Sequence, residues 1–198
     1  MKKLSLLALV VTLAFATSCK NDKKENTEME NTETEVVTET MAEENVVVAK
    51  KVTAELNAKS GSNVTGNVVF NEENGTVTMT ALVSGLEPGT HAIHLHETAD
   101  CSSDDGTSSG GHWNPTGEPH GKWGDAAGYH KGDIGNLEAD EKGNATITLS
   151  TDEWCIGCGD PAKDILGKAV IVHKGVDDFK TQPTGDAGAR VSCAGIIE

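Results

Sequence analysis

HAIHLH, residues 91–96, holds three of the chain's seven histidines. Side chains on a strand alternate between faces, so His94 and His96 project together while His91, Ile93 and Leu95 share the opposite face. The stretch therefore reads as a strand that turns Ile93 and Leu95 to a core and an imidazole pair outward. Other segments have the same character: VTAEL (52–56), VTGNVVF (64–70), TVTMTALVS (76–84), ATITL (145–149) and KAVIVH (168–173) alternate or are β-branched. Turn-forming runs such as NEENG (71–75) and ADEKGN (139–144) separate them. No sustained 3.6-residue apolar period appears, so the sequence predicts an all-β antiparallel sandwich or barrel.

The first nineteen residues, MKKLSLLALVVTLAFATSC, have a basic start, an apolar run too short to span a bilayer, and small residues before Cys19. They read as an export signal over 1–19. Cys19 stands where a bacterial lipoprotein carries its lipid, although Ala16 occupies a position usually held by leucine. An ordinary cleaved signal is the alternative. Residues 20–48 form an acidic segment, with three lysines against nine acids up to Asn45, and are expected to be a disordered tether. Residues 49–198 are the expected folded domain, long enough for a core. The net charge of −15 argues against a nucleic-acid partner, whose phosphates need a basic face. The expected location is the cell envelope, anchored to a membrane through Cys19 and facing either the periplasm or the exterior.

Between Glu97 and His130 runs a long, polar, glycine-rich segment with no strand or helix pattern. Loops of that length in a compact domain are usually functional or disordered. This one carries His112, His120 and His130, with Asp133 three residues later. A metal ion can organise a loop that has no apolar core of its own. Adding His94, His96 and His173 makes six imidazoles and one carboxylate. Such a set suits copper and zinc, and lacks the oxygen-rich cage that calcium needs. Seven ligands exceed one four-coordinate site but suffice for two if one ligand is shared.

The motifs AIHLHE (92–97), GGHWNP (110–115), HKGDIGN (130–136), VIVHKGVDD (170–178) and GDAGARVSCAGI (185–196) together resemble the copper,zinc superoxide dismutase family. The resemblance covers roughly residues 50–198. It implies an eight-stranded Greek-key antiparallel β-barrel or sandwich, immunoglobulin-like, with a long metal-binding loop. It implies one copper and one zinc per subunit, and the dismutation of superoxide anion to dioxygen and hydrogen peroxide. Matched by position, His94, His96, His112 and His173 correspond to copper ligands, and His112, His120, His130 and Asp133 to zinc ligands. His112 is then the shared ring and takes part in catalysis. Asp177 corresponds to a carboxylate behind one ligand of each metal, His94 and His120, and His91 to a structural histidine. A homodimer is one assembly the family allows.

Arg190 is the chain's one arginine, and its planar guanidinium offers directed donors to a small anion. The resemblance places it beside copper as the catalytic guide for superoxide. Lys122, Lys131, Lys174 and Lys180 are candidate contributors to anion steering, and Thr184 aligns with a channel residue. Of five cysteines, Cys101 and Cys193 match the family disulfide. The pair in WCIGCGD, Cys155 and Cys158, departs from the pattern. A redox C-x-x-C motif needs a thioredoxin-like setting, and a zinc knuckle needs a partner pair; neither is present. A local second disulfide, Cys155–Cys158, is the preferred reading over a copper-handling or free-thiol role. The alternative function is a non-enzymatic copper- and zinc-binding or copper-buffering lipoprotein.

Overall fold

The computed structural model describes residues 49–198. The expected signal peptide, Cys19 and the 20–48 tether lie outside the described residues. Eight strands follow in chain order: β1 Lys50–Ala58, β2 Thr65–Glu73, β3 Thr76–Ser84, β4 Gly89–His96, β5 Gly135–Ala139, β6 Ala145–Thr151, β7 Ala169–His173 and β8 Arg190–Gly195. They close into a barrel in the order β1-β2-β3-β6-β5-β4-β7-β8. Every neighbouring pair is antiparallel. The β3–β4 and β6–β7 connections each pass over two strands, which is the Greek-key arrangement expected of the chain.

Alternation builds the core. In β1 only Val52, Ala54 and Leu56 are buried, and in β3 only Val77, Met79, Ala81 and Val83. Registration places Val52 opposite Phe70, and Phe70 opposite Met79, so these side chains line up across three strands on the inner face. Burying a side chain of this size contributes about 1.5–3 kcal/mol. The β2–β3 hairpin is tighter than NEENG suggested: both strands run on to Glu73 and Thr76. The turn is Asn74-Gly75 alone, with φ of 52° and 77°, the two left-handed positions that a two-residue hairpin favours.

In β4 the alternation is hidden, because all six residues of HAIHLH are buried. His91, Ile93 and Leu95 take the parity expected of the inner face. His94 and His96 lie on the outer face, where loops cover them. One cover is the 97–134 connection, whose regular structure is limited to the single 3-10 turn Thr107–Ser109. It returns along the end of β4: the Trp113 N–H donates to Leu95 O at 2.8 Å, the Leu95 N–H to Gly132 O at 2.9 Å, and the Glu97 N–H to Gly111 O at 3.0 Å. That course sets His112 beside His96. The segment after β7 forms the other wall.

Candidate metal centre

The first group is built on β4 and β7. His94, His96, His112 and His173 are all buried, and each offers one ring nitrogen to a set lying within 4.8 Å of one another. The nitrogens that face away are held. His94 Nε2 donates to Asp177 Oδ2 at 2.9 Å, His96 Nδ1 to Gly110 O at 2.9 Å, and His173 Nδ1 to Gly188 O at 3.2 Å. Placing the proton on the outward nitrogen leaves the inward one as a lone pair. His96 Nε2 and His173 Nε2 face each other at 3.4 Å, and His94 Nδ1 and His112 Nε2 are buried without a partner.

The second group is His112, His120, His130 and Asp133, also buried and also within 4.8 Å. Asp133 is its hub: His112 Nδ1 lies 2.8 Å from Oδ1, His120 Nδ1 3.0 Å from Oδ2, and His130 Nδ1 3.2 Å from Oδ1. His120 Nδ1 and His130 Nδ1 are nevertheless misdirected for hydrogen bonds and count as unpartnered. Donors around a tetrahedral ion with bonds of about 2.0 Å sit about 3.3 Å apart. These contacts fall close to that edge length. Four of the five buried, unpartnered polar side-chain atoms among the described residues belong to these rings. The residues present therefore fit two metal ions, with the His112 ring between them.

Asp177 joins the two groups from behind, accepting from His94 Nε2 on Oδ2 and from His120 Nε2 on Oδ1, both at 2.9 Å. Its backbone is clamped by Asn136 of β5, whose side chain accepts from the Asp177 N–H and donates to its carbonyl. A Cβ on Gly185 would stand 2.0 Å from Asp177 Oδ1, at a φ of 69°, so glycine is required there. Gln182 holds the loop-borne His120: its Oε1 accepts from the His120 N–H and its Nε2 donates to the His120 carbonyl.

The electrostatics suit cation binding. Burial, with the neighbouring rings, pushes His173 down to about 3, and burial pushes His112 down to about 4 despite Asp133. Burial and then the His112 charge depress His96 as well. These rings stay neutral at pH 7, as ligation requires. His120 goes the other way: burial opposes its charge, but Asp133 and Asp177 outweigh it and raise the ring to about 9. For Asp133 and Asp177 burial favours protonation, yet the histidine contacts win and hold both carboxyls well below the usual range.

Arg190 opens β8 beside this centre, and its charge is one of the smaller causes lowering His96 and His173 after burial. Its Nη1 donates to Gly106 O at 2.8 Å and to Ser109 Oγ at 3.0 Å. The fully buried Ser109 hydroxyl donates in turn to Gly106 O at 2.9 Å. Cys101 and Cys193 are disulfide-bonded, which ties the same loop to β8. Among the steering candidates, Lys131 is paired with Glu153, so its charge is locally balanced. His91 sits apart from both groups, its ring nitrogens facing His173 O and Glu87 O. Cys155 and Cys158 are disulfide-bonded, in a separate cluster with Asp164.

Sequence reasoning missed the residues that orient the named ones: Gly110, Gly188, Gly106 and Ser109, together with Asn136 and Gln182. Four of these act wholly or partly through backbone carbonyls or a small hydroxyl, which leave no motif. The two side-chain amides could have been suspected only from their place beside Asp177 and His120 in three dimensions.

A family model described as copper/zinc superoxide dismutase matches residues 64–196. Among solved structures, a double mutant of a SOD-like protein from Bacillus subtilis is 30% identical with a TM-score of 0.66, over 74% of this chain and 97% of that one. A second, the clock protein EA4, is 33% identical with a TM-score of 0.64, over 74% of this chain and 94% of that one.

Proposed function

The chain belongs to the copper/zinc superoxide dismutase family, and from that premise we propose that it converts two superoxide anions and two protons into dioxygen and hydrogen peroxide. In this reading His94, His96, His112 and His173 hold copper, and His112, His120, His130 and Asp133 hold zinc. Copper, when bound, supplies a one-electron couple, and zinc a fixed positive charge. The observation that carries the reading is the position of His112, whose Nδ1 meets Asp133 while its buried Nε2 is left open toward the other three rings.

The chain's own residues then have definite tasks. Arg190 draws the anion toward the centre, a local focus that an acidic molecule needs to capture a negative substrate. Its Nη1 is committed to Gly106 and Ser109, and no described residue accepts from its remaining N–H groups. His112 Nε2 is the atom placed to hold a proton and pass it to the reduced oxygen species, because Nδ1 is fixed on the Asp133 side. Asp177 keeps His94 and His120 in the tautomer that presents their inner nitrogens.

The test is stopped-flow decay of superoxide by the purified protein loaded with copper and zinc. The expected kcat/KM approaches the diffusional ceiling, about 10⁸–10⁹ M⁻¹s⁻¹, with one copper and one zinc per chain. Full metal content with negligible turnover would favour the non-enzymatic copper- and zinc-binding reading, a fair rival because one similar structure is a clock protein. The N-terminal residues support an envelope lipoprotein that protects its compartment from superoxide. Detergent-phase partitioning of the wild type, lost in Cys19→Ser, is the expected result for that anchor.

A further inference from the structure

The β6–β7 connection carries a cluster that the metal centre does not use. Cys155, Cys158 and Asp164 bring two sulfurs and a carboxylate oxygen within 4.8 Å of one another. The two disulfides of the domain are differently placed. Cys193 is completely buried, and its bridge to Cys101 closes a span of 92 residues, whereas Cys158 is exposed and its bridge to Cys155 closes a span of three. A link across so short a span restricts the unfolded chain less than half as much as the long one. Exposed bridges are also those that exchange with thiols.

The loop does not depend on this bridge for its shape. Asp164 Oδ1 accepts from the Gly157 N–H at 2.9 Å and the Leu166 N–H at 3.1 Å, and Oδ2 from the Gly159 N–H at 2.8 Å. Asp164 thus grips the chain on both sides of Cys158. Cys155 is fixed independently: its N–H donates to Lys163 O at 2.8 Å, and its carbonyl accepts from the Ile165 N–H at 3.1 Å. Gly157 and Gly159 carry φ of 62° and 74°, the left-handed values that let the chain wrap the carboxylate. A Cβ on Gly159 would meet nothing within 4 Å beyond its chain neighbours, and the adjoining Cys158 is itself exposed. The Asp160 N–H points at Cys158 Sγ from 3.5 Å, and the Lys50 ammonium binds Ile156 O. The Asp160 donor at the sulfur favours a thiolate over a thiol.

We propose that Cys155 and Cys158 form a separate, redox-gated metal site: a thiol reductant opens the bridge, and the resulting dithiolate, with Asp164 beside it, takes one thiophilic ion of the Cu(I) or Zn(II) class. An external thiolate attacks the exposed Cys158 sulfur, the Cys155–Cys158 bond breaks, and Cys155 leaves as a thiolate. A second external thiolate attacks the outer sulfur of the mixed disulfide, releases Cys158 as a thiolate and leaves the reductant as its own disulfide. Two electrons pass from the reductant to the protein. Each sulfur binds the ion deprotonated, so the two thiol protons go to solvent. Thiolates select Cu(I) and Zn(II) among biological cations, and the Asp164 oxygen suits the divalent member.

The experiment uses the full chain with its histidine centre already loaded. After mild reduction by glutathione, alkylation and mass spectrometry should find Cys155 and Cys158 modified while Cys101 and Cys193 remain bonded. The reduced protein should then take one further equivalent of Cu(I) from its bicinchoninate complex, or one of Zn(II) from a chromophoric chelator, and the responding arm identifies the ion. The oxidised protein, the alkylated protein and Cys155→Ser/Cys158→Ser should take none. Absence of a further equivalent in both arms overturns the proposal, as does a further equivalent that survives alkylation. The outcome is independent of superoxide turnover.

Discussion

Replacing Asp177 by asparagine should weaken the zinc-type group more than the copper-type group. The side chain is fully buried and accepts from His94 Nε2, His120 Nε2 and the Phe179 N–H. Asparagine keeps the shape and the Asn136 clamp, but offers one accepting oxygen instead of two, and no charge. Its amide N–H₂ then opposes a ring N–H. One charge-assisted bond worth about 1.5–3 kcal/mol is lost, and the other falls to the neutral range of about 0.5–1.5 kcal/mol. His94 is held by β4 whatever Asp177 does, whereas His120 rides a loop held here by side chains alone, those of Gln182, Asp133 and Asp177. The loss should therefore fall mainly on the His112, His120, His130 and Asp133 group. Removing such a partner costs roughly 10–100-fold in metal affinity, or about 1.4–2.7 kcal/mol at about 1.36 kcal/mol per decade. Zinc competition against a chromophoric chelator at pH 7 measures it, with circular dichroism of the metal-free variant as the folding control. Zinc affinity within about threefold of wild type would refute the argument, and so would a loss confined to the His94 group.

Cys101→Ser/Cys193→Ser should destabilise by about 4–5 kcal/mol and Cys155→Ser/Cys158→Ser by about 2 kcal/mol, from spans of 92 and three residues. Calorimetry giving equal shifts in Tm would contradict this. Ser109→Ala removes the hydroxyl that joins Arg190 to Gly106; kcat/KM for superoxide and azide affinity should both fall roughly 3–10-fold with copper content unchanged, and an unmoved azide affinity would show Ser109 to be filler. His173→Ala should abolish copper-dependent turnover while zinc stays bound, as measured by metal analysis beside activity; retained activity would remove His173 from the copper set. Metal-free protein should be most stable near pH 6.5. His112 at about 4 and His173 at about 3 lie below their unfolded value, so stability falls as pH drops from 6.5 toward 4. His120 at about 9 lies above its unfolded value, so its contribution is full below 6.5 and disappears as pH rises through 9. Thermal melts at pH 4.5, 6.5 and 8.5 test both slopes, and a stability still climbing at 8.5 would be the contrary result.

The barrel was legible because its strands obey a period of two: Val52, Ala54 and Leu56 announce an inner face without help. The ligands were legible because imidazoles are scarce and six of the chain's seven fall in the quoted motifs and the polar loop. Burial of His94 and His96 was not legible, since alternation marks them as outward and that face is covered by the returning 97–134 loop and the segment after β7. The hold on Arg190 was invisible for a different reason. Gly106 and Ser109 lie 84 and 81 residues away in sequence and contribute a carbonyl and a hydroxyl, groups that nearly every loop possesses.

The metal groups and the loops are one thermodynamic unit, and the route runs through the outward nitrogens. His96 is tied to Gly110 O, His173 to Gly188 O, and His94 and His120 to Asp177. Each tie joins a ring to a segment other than its own, or to a distant part of the same loop. Any cation that fixes the inner nitrogens therefore fixes those segments as well. In the metal-free protein the raised His120 keeps its ring protonated between Asp133 and Asp177 at neutral pH. A metal ion entering this group must displace that proton, so affinity rises with pH until His120 is neutral in the metal-free protein. The same two carboxylates thus hold His120 before the metal arrives and set the terms on which it binds.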